Sequence, residues 1–430
     1  MTGTTEEYSL RDISRLFLTV TVLVIVSAAL AGAGGVLTRN PLLEKLHPYL
    51  FFTGFGNLAI LLLNRYLTAA IYPELRIDPR MQRQYIAAVM VALALVTASI
   101  FLEMPLLKSL AGLLLMGVVL LPLREIFSTL SVARIWKDVS VRYYIFDVVF
   151  LLNANLGLFA LGLKEAWPTI GIIPFFVTQS AYFLGSSFPL RFSVMGFLYT
   201  YAWRRTSKKE LARKLFSLWF YIFVGGVLFF LVMILAGHYL GMMLISHLLT
   251  IGVFALFISF AIYLNNFFRR NFVHPGLAFL LSGLAFLLAT SAYGILNVYF
   301  AKGILFGSYP PIRPDKMWIY HSHTHAALIG WITFSFIGMI YIVIPAIQKK
   351  GSLLLLQSGD PLGQLLEEGT MSRALVQLTV MLLAALLIIV SLFTGDRMTL
   401  GLSGIVYAGA LFYLRMNLFR DSVFDSNDIL

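Results

Sequence analysis

A chain of 430 residues that is 59% hydrophobic and only 12% charged, with a mean hydropathy of +0.86, excludes an ordinary soluble protein and points to an all-α polytopic membrane protein. The absence of cysteine excludes disulfides, iron–sulfur clusters, thiolate-bound metals and covalent c-type heme, so any metal or heme must use His, carboxylate, Met or Tyr. The net charge of +12 calls for no nucleic acid, because basic residues at membrane helix ends face anionic lipid.

Residues 1–14 are polar, and the first apolar run extends from Arg15 to near Leu37, too long for a secretory core and without a small-residue cleavage site, which predicts a retained helix. Further runs follow near 46–71, 84–103, 105–128, 143–163, 168–203, 214–237, 240–264, 274–299, 317–346, 374–394 and 398–417. They are continuous over the roughly 20 residues a bilayer needs and do not alternate, which excludes a β-barrel. The expectation is one transmembrane domain over 1–430 with about twelve helices, the sixth long enough to tilt or break, and a short tail at 418–430.

Of the 32 Lys and Arg residues, 23 fall at one set of run ends and 8 at the other, with Arg191 inside a run. The positive-inside rule then predicts both termini in the cytoplasm and an inner (plasma) membrane protein. In that topology His47, His238, His247, His321, His323 and His325 sit in the outer half, and only His274 lies at the inner face.

Tyr320 to Pro345 concentrates the chemistry, with three of the seven histidines at the head of a membrane-length run. Histidine inside a membrane is costly unless partnered, which makes it a functional candidate. On a helix, His323 and His325 point to nearly opposite sides, whereas His321 and His325 share a face. One helix is therefore able to give an imidazole to each of two flanking cofactors. The alternatives at this point are a polar helix cap or a zinc pair at His321 and His325. Elsewhere, Asp147 precedes Asn153 and Asn155 in the fifth run, and beside Arg142 it reads as an ion pair or as the entrance of a proton path.

The segment His323-Thr324-His325-Ala326-Ala327-Leu328-Ile329-Gly330-Trp331, followed by Gly338, Tyr341 and Pro345, resembles the tenth helix of subunit I of heme–copper oxidases, in particular the C-family oxidases and nitric oxide reductases. Leu46-His47-Pro48 through Gly56-Asn57 is similar to the second helix of that subunit, and the helix count fits the same bundle. The resemblance implies a b-type low-spin heme with His47 and His325 as axial ligands, a second heme on His323, and a propionate partner in Arg397. It implies quinol or an outer-face donor subunit as the electron source.

The departures are specific. The family completes its reaction centre with a His on the sixth helix and an adjacent His pair on the seventh, and this chain has neither. His238, His247 and His321 remain as candidates for a second metal, copper or iron, at a spacing that is not the family's. The expected function is electron transfer between hemes with a degenerate distal site. The alternatives are a terminal oxidase or nitric oxide reductase with a non-standard second metal, and a cofactor-free transporter or structural subunit on the same scaffold.

Overall fold

The structure is a computed structural model that describes residues 3–169, 190–201, 206–236, 238–263, 274–301, 317–350 and 365–419. Among these residues there is no strand, and eleven helices are long and apolar enough to cross a membrane. The protein is an all-α polytopic membrane protein. Most of the sixth apolar run lies outside the described residues, so the expected twelfth span is neither added nor removed.

The helices are α1 (Gly3–Thr38), α2 (Pro41–Ile71), α3 (Pro79–Phe101), α4 (Leu106–Thr129), α5 (Val132–Lys137), α6 (Val139–Ala166), α7 (Arg191–Tyr201), α8 (Lys209–Leu235), α9 (Tyr239–Tyr263) and α10 (Pro275–Ala301). After them come α11, which runs through Met317–His325, Ala326–Ile332 and Thr333–Lys350, then α12 (Glu368–Thr394) and α13 (Arg397–Phe419). The turns between neighbours carry local stop and start signals. Asn40 accepts from Leu42 N and Leu43 N at 3.0 and 3.3 Å with Pro41 opening α2. Gly395 takes φ 77° between α12 and α13, a left-handed conformation that glycine adopts without a Cβ penalty, and Asp396 then caps α13.

Burial separates the helices into a centre and a lipid-facing shell. The spans of α2 and α11 are 83% and 89% buried, whereas that of α9 is 28% buried. The two helices that carry His47 and the His321 to His325 triplet therefore form the middle of the bundle. Both also change winding directly after their histidines: Leu50–Gly56 and Ala326–Ile332 form wider π-helical turns. Such turns redirect side chains and cluster at functional sites.

Packing fixes the height of the histidines without reference to a membrane side. The head of α2 lies against the tail of α1, where Gly32 faces the His47 ring. Ile319 near the head of α11 packs on Tyr293 and Leu296 of α10 and on Phe393 at the tail of α12. His247 near the head of α9 reaches Tyr299 at the tail of α10. His274 begins α10 at the other end, where Gly276 meets the Gly338 carbonyl of α11, a backbone-to-backbone crossing that only small residues permit. Six histidines therefore share one end of the bundle, as expected, and His274 lies at the opposite end.

Candidate cofactor site

His47 and His325 face each other from α2 and α11. Their rings are nearly parallel, 14° apart in plane, with centroids 6.2 Å apart. That distance is too long for ring stacking, so another relation has to account for it. An imidazole nitrogen sits about 2.0–2.1 Å from a bound metal and about 1.1 Å from its own ring centre, so two imidazoles on opposite sides of one metal have centroids about 6.3 Å apart. The pair has the spacing of two axial ligands.

The second ring nitrogen of each histidine supports the same role. His47 Nδ1 lies 2.8 Å from Ala28 O, His325 Nδ1 2.8 Å from His321 O, and His323 Nδ1 2.9 Å from Thr290 O. A carbonyl only accepts, so each Nδ1 carries the proton and donates, leaving a lone pair on Nε2. Among the described residues no hydrogen bond reaches those three Nε2 atoms. Histidine ligands of metals commonly donate their other N–H to a backbone carbonyl, which fixes tautomer and ring orientation. All three residues are only partly buried although α2 and α11 are the most buried spans.

Two glycines make room for these rings. A Cβ on Gly32 of α1 would lie 2.9 Å from His47 Nδ1, and one on Gly294 of α10 would lie 3.1 Å from His323 Cε1. His323 thus seats against α10 and His325 against α2, on opposite sides of α11 as the spacing predicts. The three rings turn their Nε2 lone pairs to two sides of α11, the donor set that two hemes would need.

The remaining candidates are placed differently. His321 is exposed on the face of α11 that carries His325, with ring centroids 6.3 Å apart at a steep angle. His247 donates from Nδ1 to Met243 O at 2.7 Å, and its Nε2 lies 3.1 Å from the Tyr299 hydroxyl. His238 Nδ1 accepts from Gly241 N at 3.0 Å and caps α9. Among the described residues, no three His, Cys, Asp or Glu side chains gather as metal ligands, so His238, His247 and His321 are not brought to one point. Arg397 is exposed in the first turn of α13. Gly404, seven residues on, packs on Ala33 of α1 beside Gly32, which puts Arg397 about 10 Å beyond the level of His47 toward the rim.

One sequence expectation is corrected. Asp147 does not pair with Arg142. Its carboxylate accepts from Leu190 N at 2.7 Å, from Ser193 N at 3.1 Å and from the Ser193 hydroxyl, capping α7 from α6. Arg142 donates to the Ser217 hydroxyl at 2.9 Å and lies over the Trp136, Phe220 and Tyr221 rings. Three fixed donors stabilise the buried carboxylate there without a cation. Gly32, Gly294 and the Ala28 and Thr290 carbonyls escaped sequence reasoning, because a glycine or a carbonyl carries no chemistry until its neighbour is known.

The chain matches no family model and no curated protein.

Proposed function

We propose that this protein is a heme-binding membrane respiratory protein related to subunit I of heme–copper oxidases, transferring electrons between two b-type hemes. The observation that carries the proposal is the His47–His325 pair: nearly parallel rings at 6.2 Å, each with Nδ1 committed to a carbonyl. The iron of a bound heme supplies the one-electron redox change, and the protein supplies the ligands and their surroundings.

Within that assignment each residue has a defined task. His47 and His325 would hold one heme between them, their rings kept in place by the Ala28 and His321 carbonyls. His323, anchored on Thr290 O, would hold a second heme on the α10 side of the same helix. Thr324 alone separates the two histidines that would hold them. Arg397 at the rim offers a cation to a propionate. The distal site is degenerate, because His247 Nε2 is already engaged by Tyr299 and the oxidase ligand pattern is missing from the sequence. Electrons come from quinol or an outer-face donor subunit, and the bias of basic residues orients both termini to the cytoplasm of a plasma membrane.

The test is a reduced-minus-oxidised visible spectrum of protein purified in mild detergent, with the heme extracted and metals counted by mass spectrometry. Heme at about two per chain with no copper supports the proposal. A stoichiometric copper that is lost in His247→Ala identifies a terminal reductase instead. Protein without heme leaves a transporter or structural subunit.

A further inference from the structure

Three Lys or Arg residues are buried among the described residues: Arg65, Lys108 and Arg142. Arg65 pairs with Glu125 and Lys108 with Glu165, so two of the three have a counter-charge. Arg142, 6% exposed in the first turn of α6, pairs with no carboxylate among the described residues. Its Nη2 donates to the Ser217 hydroxyl of α8 at 2.9 Å, and its Nε is buried without a partner. The acids of the neighbouring segments are engaged elsewhere. Asp138 Oδ1 accepts from Ser140 N and Val141 N at 2.9 and 3.3 Å, Asp147 caps α7, Glu74 pairs with Arg134, and Glu210 pairs with Arg213.

Aromatic rings stand where an anion would be expected. The guanidinium carbon lies 5.7, 5.5 and 5.9 Å from the ring centres of Trp136, Phe220 and Tyr221. Ring faces offset only part of the cost of a desolvated guanidinium, whereas a hydrogen-bonded anion offsets more. Trp136 and Tyr221 are 43% and 52% exposed, so the ring cage opens outward instead of closing over the charge. The tail of α6 lies at the histidine end, where Glu165 holds Lys108 over the Tyr49 ring, two residues after His47. The head of α6 with Arg142 therefore lies at the opposite end.

Two exposed lysines flank the cage. Lys137 follows Trp136 in α5, and Lys214 lies three residues before Ser217, on the same face of α8. Neither forms an ion pair among the described residues. Further into the membrane, Val149 continues the Arg142 face of α6, and Leu218 and Tyr221 continue the Lys214 face of α8; all three are exposed. One turn beyond Tyr221, Gly225 has open space where a Cβ would stand, which leaves a furrow in that face.

We infer that this corner of α5, α6 and α8 binds one anionic phospholipid of the leaflet opposite the histidines. Arg142 is the central cation for its phosphate, Lys137 and Lys214 are the outer ones, and an acyl chain lies along Val149, Leu218 and Gly225. Charge complementarity selects this occupant. A zwitterionic headgroup would bring an ammonium against three cations, and free phosphate would leave the apolar strip uncovered. The inference is independent of the heme assignment.

The experiment is native mass spectrometry of the purified full-length protein in detergent, titrated with phosphatidylglycerol or with phosphatidylcholine of the same chains, and with inorganic phosphate as competitor. The expected result is a one-to-one phosphatidylglycerol adduct that outlasts the phosphatidylcholine adduct and is not displaced by phosphate. Arg142→Gln should weaken it by about tenfold, the effect of losing a charge-assisted hydrogen bond. Lys137→Gln with Lys214→Gln, both at exposed positions, should weaken it by about threefold, and this double variant carries the test if Arg142→Gln does not fold. Arg80→Gln with Arg83→Gln, which removes two exposed cations of α3 at the same end, should leave it unchanged. Equal retention of the two lipids, displacement by inorganic phosphate, full retention in the folded site variants, or an equal loss in the α3 variant would overturn the inference.

Discussion

His47, His323 and His325 at one end of the bundle differ from His274 at the other in one hydrogen bond, and that bond decides what each ring can do. At His47, His323 and His325, Nδ1 meets a carbonyl, so the proton sits on Nδ1 and Nε2 offers a lone pair. At His274, Nδ1 accepts from Gly276 N at 3.1 Å, so the proton sits on Nε2, which is buried without a hydrogen-bond partner among the described residues. A ring protonated at Nε2 cannot bind a metal there without first giving up that proton. His247 falls between, with the ligand tautomer but a Tyr299 hydroxyl already on Nε2. The partner of Nδ1 therefore separates rings with a free Nε2 lone pair from rings that cap a helix.

The sharpest way to break this comparison is to remove the ligands. His47→Ala and His325→Ala should each abolish the same low-spin heme signal, and His323→Ala should remove the other heme while leaving that signal. Heme content and the reduced-minus-oxidised spectrum check all three. A full low-spin spectrum in either of the first two variants would mean that the pair is not axial.

Gly32→Ala tests the seat of the ring. The new Cβ would lie 2.9 Å from His47 Nδ1, so the ring must swing and lose its bond to Ala28 O. Loss of such an orienting partner typically weakens metal binding by roughly 10- to 100-fold. Heme retention during a chase with a heme-binding competitor measures this, and Gly294→Ala should act in the same direction on the His323 heme, less strongly because its contact is 3.1 Å.

The histidines were legible in the sequence, and their seats were not. H-x-H on a helix sends two imidazoles to opposite sides by geometry alone, and His323 and His325 do face α10 and α2. The common height of six histidines likewise followed from helix order. Gly32, Thr290 and the π-helical turns after His47 and His325 were not legible, because they depend on which helix lies alongside. Asp147 shows the same limit. Its chain neighbour Arg142 suggested an ion pair, and the donors came from Leu190 and Ser193, more than forty residues away.

A smaller effect is expected at the histidine that the comparison places outside the ligand set. His247→Ala should leave heme content and spectrum unchanged and cost stability on the order of 1 kcal/mol for the lost Tyr299 bond. Thermal unfolding in detergent, alongside the spectrum, checks both. Loss of a metal in this variant would move His247 into the ligand set.

The smallest lies at the α12–α13 turn beside Arg397. The Thr399 hydroxyl, with the Thr399 and Met398 N–H groups, holds the Asp396 carboxyl below the usual carboxylate range. A lowered native value gives stability that is present above the unfolded pKa and lost as pH falls through the native one, so the contribution should fade below about pH 4. Asp396→Asn should flatten that acid limb slightly in a thermal-unfolding series against pH, without changing the heme spectrum.

His47 and His325 are proposed as the two axial ligands of one heme. Parallel imidazole planes direct their π orbitals at the same iron d orbital and split it from its partner, so rings 14° apart should give a rhombic low-spin signal. Electron paramagnetic resonance of the oxidised protein should show that rhombic signal in the wild type and lose it in both His47→Ala and His325→Ala. A wild-type protein with no low-spin heme signal, or a rhombic signal that survives in either variant, would contradict the account.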